Sequence, residues 1–117
     1  MIIAKNIIGK KNSRCHLNAM KQQKIDDSEI YVGYYVIRRG AYISAIPHFW
    51  NVKNNLIIDT SIGTNQNHYL GKPIANKYNS SNKMFDNELM PLYKQQKIET
   101  EEDLQKLCEL YEFKELI

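Results

Sequence analysis

The sequence predicts a small α+β domain, in which a helix carrying Cys15 packs on a three- or four-stranded antiparallel sheet and a second helix closes the chain. Residues 29–60 are rich in β-branched and aromatic side chains and are divided by turn-forming residues, which is typical of a strand meander. Helical patterns flank this region, over residues 14–23 before it and residues 100–116 after it. The hydrophobic fraction of 43% is sufficient for a globular core.

The first helix begins shortly before Cys15. Residues 1–8 could form a short strand or a helical turn. Asn12 or Ser13 can then cap a helix over about residues 14–23, because short polar side chains accept hydrogen bonds from first-turn N–H groups. We therefore expect a partly exposed Cys15 thiol near the positive end of this helix.

Three strands make up the predicted meander. Residues 29–38 form the first strand, which Gly33 interrupts either as a bulge or as a position that another segment approaches closely. Residues 41–51 form the second strand, and residues 56–60 form the third. The Lys53-Asn54-Asn55 run between them favours a hairpin turn, because asparagine tolerates positive φ.

The region after the meander is less regular. Residues 61–83 are rich in Asn, Gly, Ser and Lys, and we interpret them as a long loop, either functional or a disordered connector. This loop could hold a short strand at residues 68–70. Residues 86–93 could form a short helix, which Pro91 would limit.

The closing helix has the clearest pattern. Thr100 can cap it, and three acidic residues follow at its positive end. Its apolar side chains recur at helical spacing and comprise Leu104, Leu107, Cys108 and Tyr111. The position of Cys108 on this stripe indicates a small buried hydrophobic residue rather than a reactive thiol.

Length and charge limit the function classes. The 117 residues suit a single domain over residues 1–117, and a net charge of +3 is too mild to favour nucleic acid as a partner. The first eleven residues lack the apolar region of a signal peptide, and no stretch reaches the roughly 18 apolar residues that would span a bilayer. We therefore expect a cytoplasmic location, in the producing or host cell, where Cys15 and Cys108 would be free thiols.

Cys15, His48 and Asp59 are the candidate catalytic residues. A cysteine at a helix start, followed by a histidine and an aspartate on adjoining strands, has the layout of a thiol catalytic triad. A two-residue turn at positions 53–54 would place His48 opposite Asp59. A turn at positions 54–55 would place Asp59 opposite Trp50, with His48 two positions along on the same face. Either turn brings the imidazole and the carboxylate to one surface.

Four further residues are candidates for supporting roles. Asn12, ahead of the cysteine, is a possible oxyanion donor. His16 could tune the thiolate or lie at the surface, and Asn18 could tie the helix to a strand. Trp50 could shield the site from water.

Zinc is an alternative use of the same residue types. Cys15, His16, His48, Asp59 and His68 all have side chains that bind zinc. Their spacing matches no metal-binding pattern, so the sequence predicts neither a metal nor any other cofactor.

Four short motifs over residues 14–61 carry a family resemblance. They are Cys15-His16-Leu17-Asn18, Gly33-Tyr34, Pro47-His48-Phe49-Trp50 and Ile57-Ile58-Asp59-Thr60. Their order resembles that of the transglutaminase-like branch of the papain-like cysteine superfamily. The resemblance implies a minimal version of that core, with Cys15 as nucleophile, His48 as base and Asp59 as the residue that orients it.

The sequence thus predicts a cysteine-dependent acyl-transfer enzyme that acts on an amide-type bond, as a hydrolase, a deamidase or a transglutaminase-like transferase. A protein or peptide is the expected substrate, no membrane is expected, and the oligomeric state is left open. The first alternative is a non-catalytic interaction module on the same fold. It would bind a protein through the 61–83 loop or through the tyrosines of the meander, Tyr31, Tyr34, Tyr35 and Tyr42. A metal or nucleic-acid binder is the second alternative.

Overall fold

The computed structural model describes residues 3–5, 14–60, 68–75, 78–95 and 98–116. Strands and helices follow in an order that matches the predicted α+β class. The strands are β1 (Ile3–Lys5), β2 (Glu29–Arg39), β3 (Tyr42–Lys53), β4 (Leu56–Ile58), β5 (His68–Pro73) and β6 (Lys114–Leu116). The helices are α1 (Cys15–Asp26), α2 (Ser81–Met84), a π-helical turn (Phe85–Leu89), α3 (Met90–Tyr93) and α4 (Glu101–Tyr111).

One sheet contains the six described strands, in the order β1-β4-β3-β2-β5-β6. β2 to β6 are joined by antiparallel pairings, and β1 pairs with β4 in parallel. An α+β fold with an N-terminal helix packed on an antiparallel sheet, and with a C-terminal helix, is therefore confirmed. The expectation of three or four strands was too low, because β5 lies within the predicted loop and β6 lies within the predicted last helix.

Gly33 marks the place where β5 approaches β2. The β2–β3 register is unbroken from Glu29 opposite Val52 to Arg39 opposite Tyr42, so Gly33 is not a bulge. A Cβ at Gly33 would overlap the carbonyl oxygen of Leu70 on β5. Of the two interpretations of this glycine, close approach of another segment is the correct one.

Helix α1 packs on the sheet through one face. Arg14 occupies the N-cap position, so the helix begins at Cys15, one residue later than predicted. The predicted caps, Asn12 and Ser13, lie outside the described residues. The buried side chains of α1 are Cys15, Asn18, Ala19 and Gln22. The helix continues to Asp26, and the left-handed conformation of Asp27 ends it.

An amide on β3 holds α1 to the sheet. The fully buried Asn51 donates from Nδ2 to the Ala19 carbonyl oxygen at 2.9 Å and to Ser28 Oγ at 3.0 Å. The sequence analysis assigned such a tie to Asn18, which lies buried on the same face of the helix.

Pro91 lies inside a helical segment that is longer than the short helix predicted over residues 86–93. Helical residues run from Ser81 to Tyr93, but the turn before the proline is widened, with the Met90 N–H donating to the Phe85 carbonyl five residues earlier. A π-type turn accommodates a proline because it relieves the clash with the preceding turn. The segment places Phe85 and Tyr93 near the start of α1.

The last helix is capped as predicted but is shorter. Thr100 and Asp103 form a reciprocal capping box, and the predicted apolar stripe packs against the core. The helix ends at Tyr111, where Glu112 adopts a φ of 60°, and the chain then pairs with β5 as β6. The prediction of helix up to residue 116 was therefore wrong over its last turn.

Both faces of the sheet bury apolar side chains. The face covered by helices includes Ile30, Val32, Tyr34 and Phe49, which pack with Cys15 and Ala19 of α1. The opposite face buries Trp50, Val52, Ile57, Tyr69 and Leu116. Within the described residues, no helix has the length and apolar character needed to cross a membrane.

Candidate active site

The β3–β4 hairpin sets the positions of His48 and Asp59. Its two-residue turn is Asn54-Asn55, whose φ values of 52° and 62° match the positive φ expected of asparagine in this turn. Asn51 pairs with Ile58, so Asp59 follows directly in the position opposite Trp50. This is the second of the two turn placements derived from the sequence.

His48 and Asp59 form a buried hydrogen bond. His48 Nε2 lies 2.9 Å from Asp59 Oδ2, and the two residues are only 7% and 3% exposed. The imidazole and the carboxylate thus lie on one surface, as the hairpin parity predicts. Water is largely excluded from this contact, so it is screened much less than a surface ion pair.

Cys15 is the first residue of α1, and its thiol lies close enough to His48 to help raise the pKa of the imidazole. Asp59 engages Nε2, which leaves the other ring nitrogen, Nδ1, for the sulfur. The cysteine is only 6% exposed and belongs to the core, so the expectation of a partly exposed thiol was wrong. The helical segment that contains Pro91 lies near the start of α1. The His16 ring there is 5.1 Å from that of Phe85, and Cys15 is close enough to Tyr93 to add to burial in raising the pKa of its hydroxyl.

The surroundings of the imidazole favour its protonated form. Burial alone would lower the pKa of His48, but hydrogen bonds with Asp59 and Cys15, together with their charges, raise it to about 9. In the protonated form both ring nitrogens carry a proton, so the ring can donate towards the carboxylate and towards the sulfur at once.

Aromatic rings enclose the imidazole. Trp50 is 1% exposed and stacks on His48 with 6.2 Å between ring centroids and an interplanar angle of 22°. Tyr35 lies 6.1 Å from the same imidazole. Trp50 therefore shares the face of His48, in the position from which it could shield the site from water.

Tyr69 belongs to this cluster, although no sequence pattern indicated a role for it. It is fully buried on β5 and donates from its hydroxyl to Asp59 Oδ2 at 2.8 Å. The sequence signal was a short strand over residues 68–70, but nothing local in the sequence indicated that this strand pairs with β2.

The remaining supporting candidates lie in different surroundings. His16 faces the π-helical turn, with its ring 5.1 Å from that of Phe85. Partial burial, and then the charge of Arg14, lower its pKa, so His16 is neutral at pH 7 and offers a thiolate no counter-charge. Asn18 is buried between α1 and the sheet. Asn12 lies outside the described residues.

His68 lies apart from the other residues named for a zinc site. His68 Nδ1 lies 2.5 Å from Arg38 Nη1 and 4.0 Å from Glu115 Oε1. Its neighbour on β5, Tyr69, contacts Asp59, and successive side chains of a strand point to opposite faces, so His68 points away from Asp59. Within the described residues, no three His, Cys, Asp or Glu side chains form a group that could hold a metal ion.

The tyrosines named for an interaction surface are mostly covered. Tyr34 is 2% exposed, and Tyr31 and Tyr35 pack against the core around Trp50. Tyr42, at 80%, is the exposed member of the four. The sheet therefore offers a partner little aromatic surface.

Comparison with known proteins gave no significant match, whether to a family model, to a curated protein or to a solved structure. What this site can do therefore has to be derived from its own residues.

Proposed function

We propose that the protein is a cysteine-dependent acyl-transfer enzyme, with Cys15 as nucleophile, His48 as general acid and base, and Asp59 as the residue that orients the imidazole. The observation that carries this proposal is the buried hydrogen bond between His48 and Asp59, with Cys15 close enough to the imidazole to help raise its pKa. A histidine buried between a thiol and a carboxylate is a poor way to stabilise a core, because burying charged groups costs free energy. A catalytic role is therefore the better explanation for this arrangement.

In the first half-reaction the Cys15 thiolate attacks the acyl carbon of an amide. A C–S bond forms, and the carbonyl electron pair moves onto the oxygen. N–H groups in the first turn of α1 have no partner within the helix and can stabilise this oxyanion. When the C–N bond breaks, the His48 imidazolium gives its proton to the departing amine, which leaves a thioester and a neutral imidazole.

In the second half-reaction neutral His48 removes a proton from water or from an amine. The deprotonated nucleophile attacks the thioester, and the C–S bond breaks to restore the thiolate and the imidazolium. Water as nucleophile makes the enzyme a hydrolase or a deamidase, and an amine makes it a transferase. Asp59 keeps the imidazole in one orientation through both steps.

A minimal papain- and transglutaminase-like core is part of this proposal. Its support is the chain order of the three residues, together with a cysteine-bearing helix that precedes and packs on an antiparallel sheet. A polypeptide is the expected substrate. Tyr93 is 53% exposed. Burial first, and then the charge of Cys15, raise the pKa of the Tyr93 hydroxyl, so this side chain lies near the sulfur. An aromatic side chain therefore borders the approach to Cys15.

Competition between the two cysteines tests the proposal. We expect iodoacetamide at pH 7 to alkylate Cys15 at least about tenfold faster than Cys108. Mass spectrometry of the peptides measures the two rates. Exposure alone predicts the opposite order, because Cys15 is buried while Cys108 is half-buried, and burial raises the pKa of Cys108 to about 11. Equal or slower labelling of Cys15 would overturn the proposal and favour a non-catalytic interaction module.

The trapped group would identify the substrate class. Incubation of the protein with a cell extract, followed by intact-mass analysis under mildly acidic conditions that preserve thioesters, should give an acyl adduct on Cys15. The matched control is Cys108→Ser, which should retain the adduct, whereas Cys15→Ser should lose the thioester.

A further inference from the structure

Tyr69 and His48 bind the same carboxylate oxygen. Asp59 Oδ2 lies 2.8 Å from the Tyr69 hydroxyl and 2.9 Å from His48 Nε2. A carboxylate only accepts, so the tyrosine hydroxyl is the donor in its contact. The oxygen that orients the imidazole is therefore itself held by a second, independent group.

The Tyr69 ring has little freedom to move. The residue is fully buried, and its ring centroid lies 4.9 Å from that of Trp50 and 6.0 Å from that of Tyr35. Tyr35 is also its register partner on β2. β5 thus delivers a fixed hydroxyl to a carboxylate that lies one residue beyond the end of β4.

The carboxylate needs such support because of where it lies. β4 pairs with β3 only through Leu56–Ile58, so Asp59 is the first residue after the ladder ends. The second donor on Oδ2 adds to the contacts that hold this oxygen on Nε2.

We propose that Tyr69 is a positioning residue for the acyl-transfer reaction, which acts through Asp59 to hold the His48 imidazole with its other nitrogen towards Cys15. This role rests on the proposed function. It extends the three-residue site to a fourth residue, from a strand that the three residues themselves do not use.

The test compares two variants that each remove one buried tyrosine hydroxyl. Tyr69→Phe removes the donor to Asp59. Tyr34→Phe, on the other face of the sheet, removes a hydroxyl with no hydrogen-bond partner among the described residues. At pH 7 we expect Cys15 alkylation to slow by about tenfold in Tyr69→Phe and to stay within twofold of the wild-type rate in Tyr34→Phe.

A spectroscopic signature separates positioning from general loosening. In wild-type protein the His48 Nε2–H proton should give a sharp, downfield NMR signal, because it is buried and bonded to a carboxylate. In Tyr69→Phe this signal should broaden, whereas dispersed signals of the rest of the fold should remain. An unchanged signal with an unchanged alkylation rate would overturn the role of Tyr69.

Asp59→Asn distinguishes the two proposals. If Asp59→Asn slows Cys15 alkylation while Tyr69→Phe does not, the positioning role fails and the three-residue site stands. If neither variant slows it, the proposed function fails as well. Should Tyr69→Phe not fold, 3-fluorotyrosine at position 69 keeps the shape and makes the hydroxyl a stronger donor. It should shift the Nε2–H signal, and no shift would overturn the role.

Discussion

Asp59 reaches across the β3–β4 hairpin to His48, with 2.9 Å between Oδ2 and Nε2, although it lies one residue beyond the paired part of β4. The contact links a structural feature, the Asn54-Asn55 turn, to the charge state of the imidazole. The substitution Asp59→Asn alters this contact, because it replaces one carboxylate oxygen with an amide nitrogen.

Asp59→Asn should lower both the pKa of His48 and the reactivity of Cys15. The amide carries no charge and can present an N–H to the ring, so the hydrogen bond and the charge that raise the pKa of His48 to about 9 are weakened or lost. We expect alkylation of Cys15 at pH 7 to slow by at least about tenfold. Asp86→Asn, the same change at an exposed helical position, should leave the rate unchanged.

Trp50 should report the titration of His48. It is the single tryptophan of the chain, and its ring stacks on the imidazole. Because a protonated imidazole quenches indole emission, fluorescence excited at 295 nm should rise with pH, with a midpoint of about 9. His48→Gln should abolish this transition, and Asp59→Asn should move it towards the ordinary histidine value of about 6.5. A wild-type midpoint near 6.5 would contradict the charge state described for the site.

The hairpin was predictable because its signals are local. Asparagine at the turn fixes the parity of the strands, and parity alone brings His48 and Asp59 to one face. The contribution of Tyr69 was not predictable, since it depends on β5 pairing with β2 across more than thirty residues of sequence. Gly33 carried part of that information, but a glycine in a strand is equally compatible with a bulge.

Two other differences between sequence and structure also have a physical cause. The pattern at the end of the chain is helical, but the left-handed Glu112 and the free edge of β5 favour a strand there. Cys15 is buried because it joins a core cluster built from several elements, which the residues next to it in the sequence do not reveal.

Asn51→Ala should destabilise the fold and displace α1. The side chain donates two buried hydrogen bonds, to the Ala19 carbonyl and to Ser28 Oγ, and its loss leaves a small cavity between helix and sheet. We expect the free energy of unfolding to fall by about 2–3 kcal/mol in urea denaturation. Asn82→Ala, at an exposed position of α2, should change it by less than about 0.5 kcal/mol. A similar loss in both variants would show that Asn51 is not the tie between α1 and β3.

The protein should become less stable as the pH rises from 6.5 to 9. His48 has a folded-state pKa of about 9, above the value of about 6.5 expected in the unfolded chain, so its contribution is fully present below about pH 6.5. Between about pH 6.5 and 9 the folded state still binds a proton that the unfolded state has already released. The contribution of His48 to the free energy of unfolding therefore falls over this range and is lost as the pH rises through about 9. Urea denaturation at several pH values between 6 and 9.5 measures the slope.

The difference between wild type and His48→Gln isolates this contribution. Burial also raises the pKa of Cys108, to about 11, which adds a loss of stability in the same direction above about pH 8.5. That part is common to both proteins and cancels in the difference. His68→Gln, the same change at a half-exposed histidine outside the site, is the matched control for the substitution itself. If His48→Gln kept the wild-type slope, the imidazole would be neutral at pH 7, and His48 would have no proton to give the departing amine.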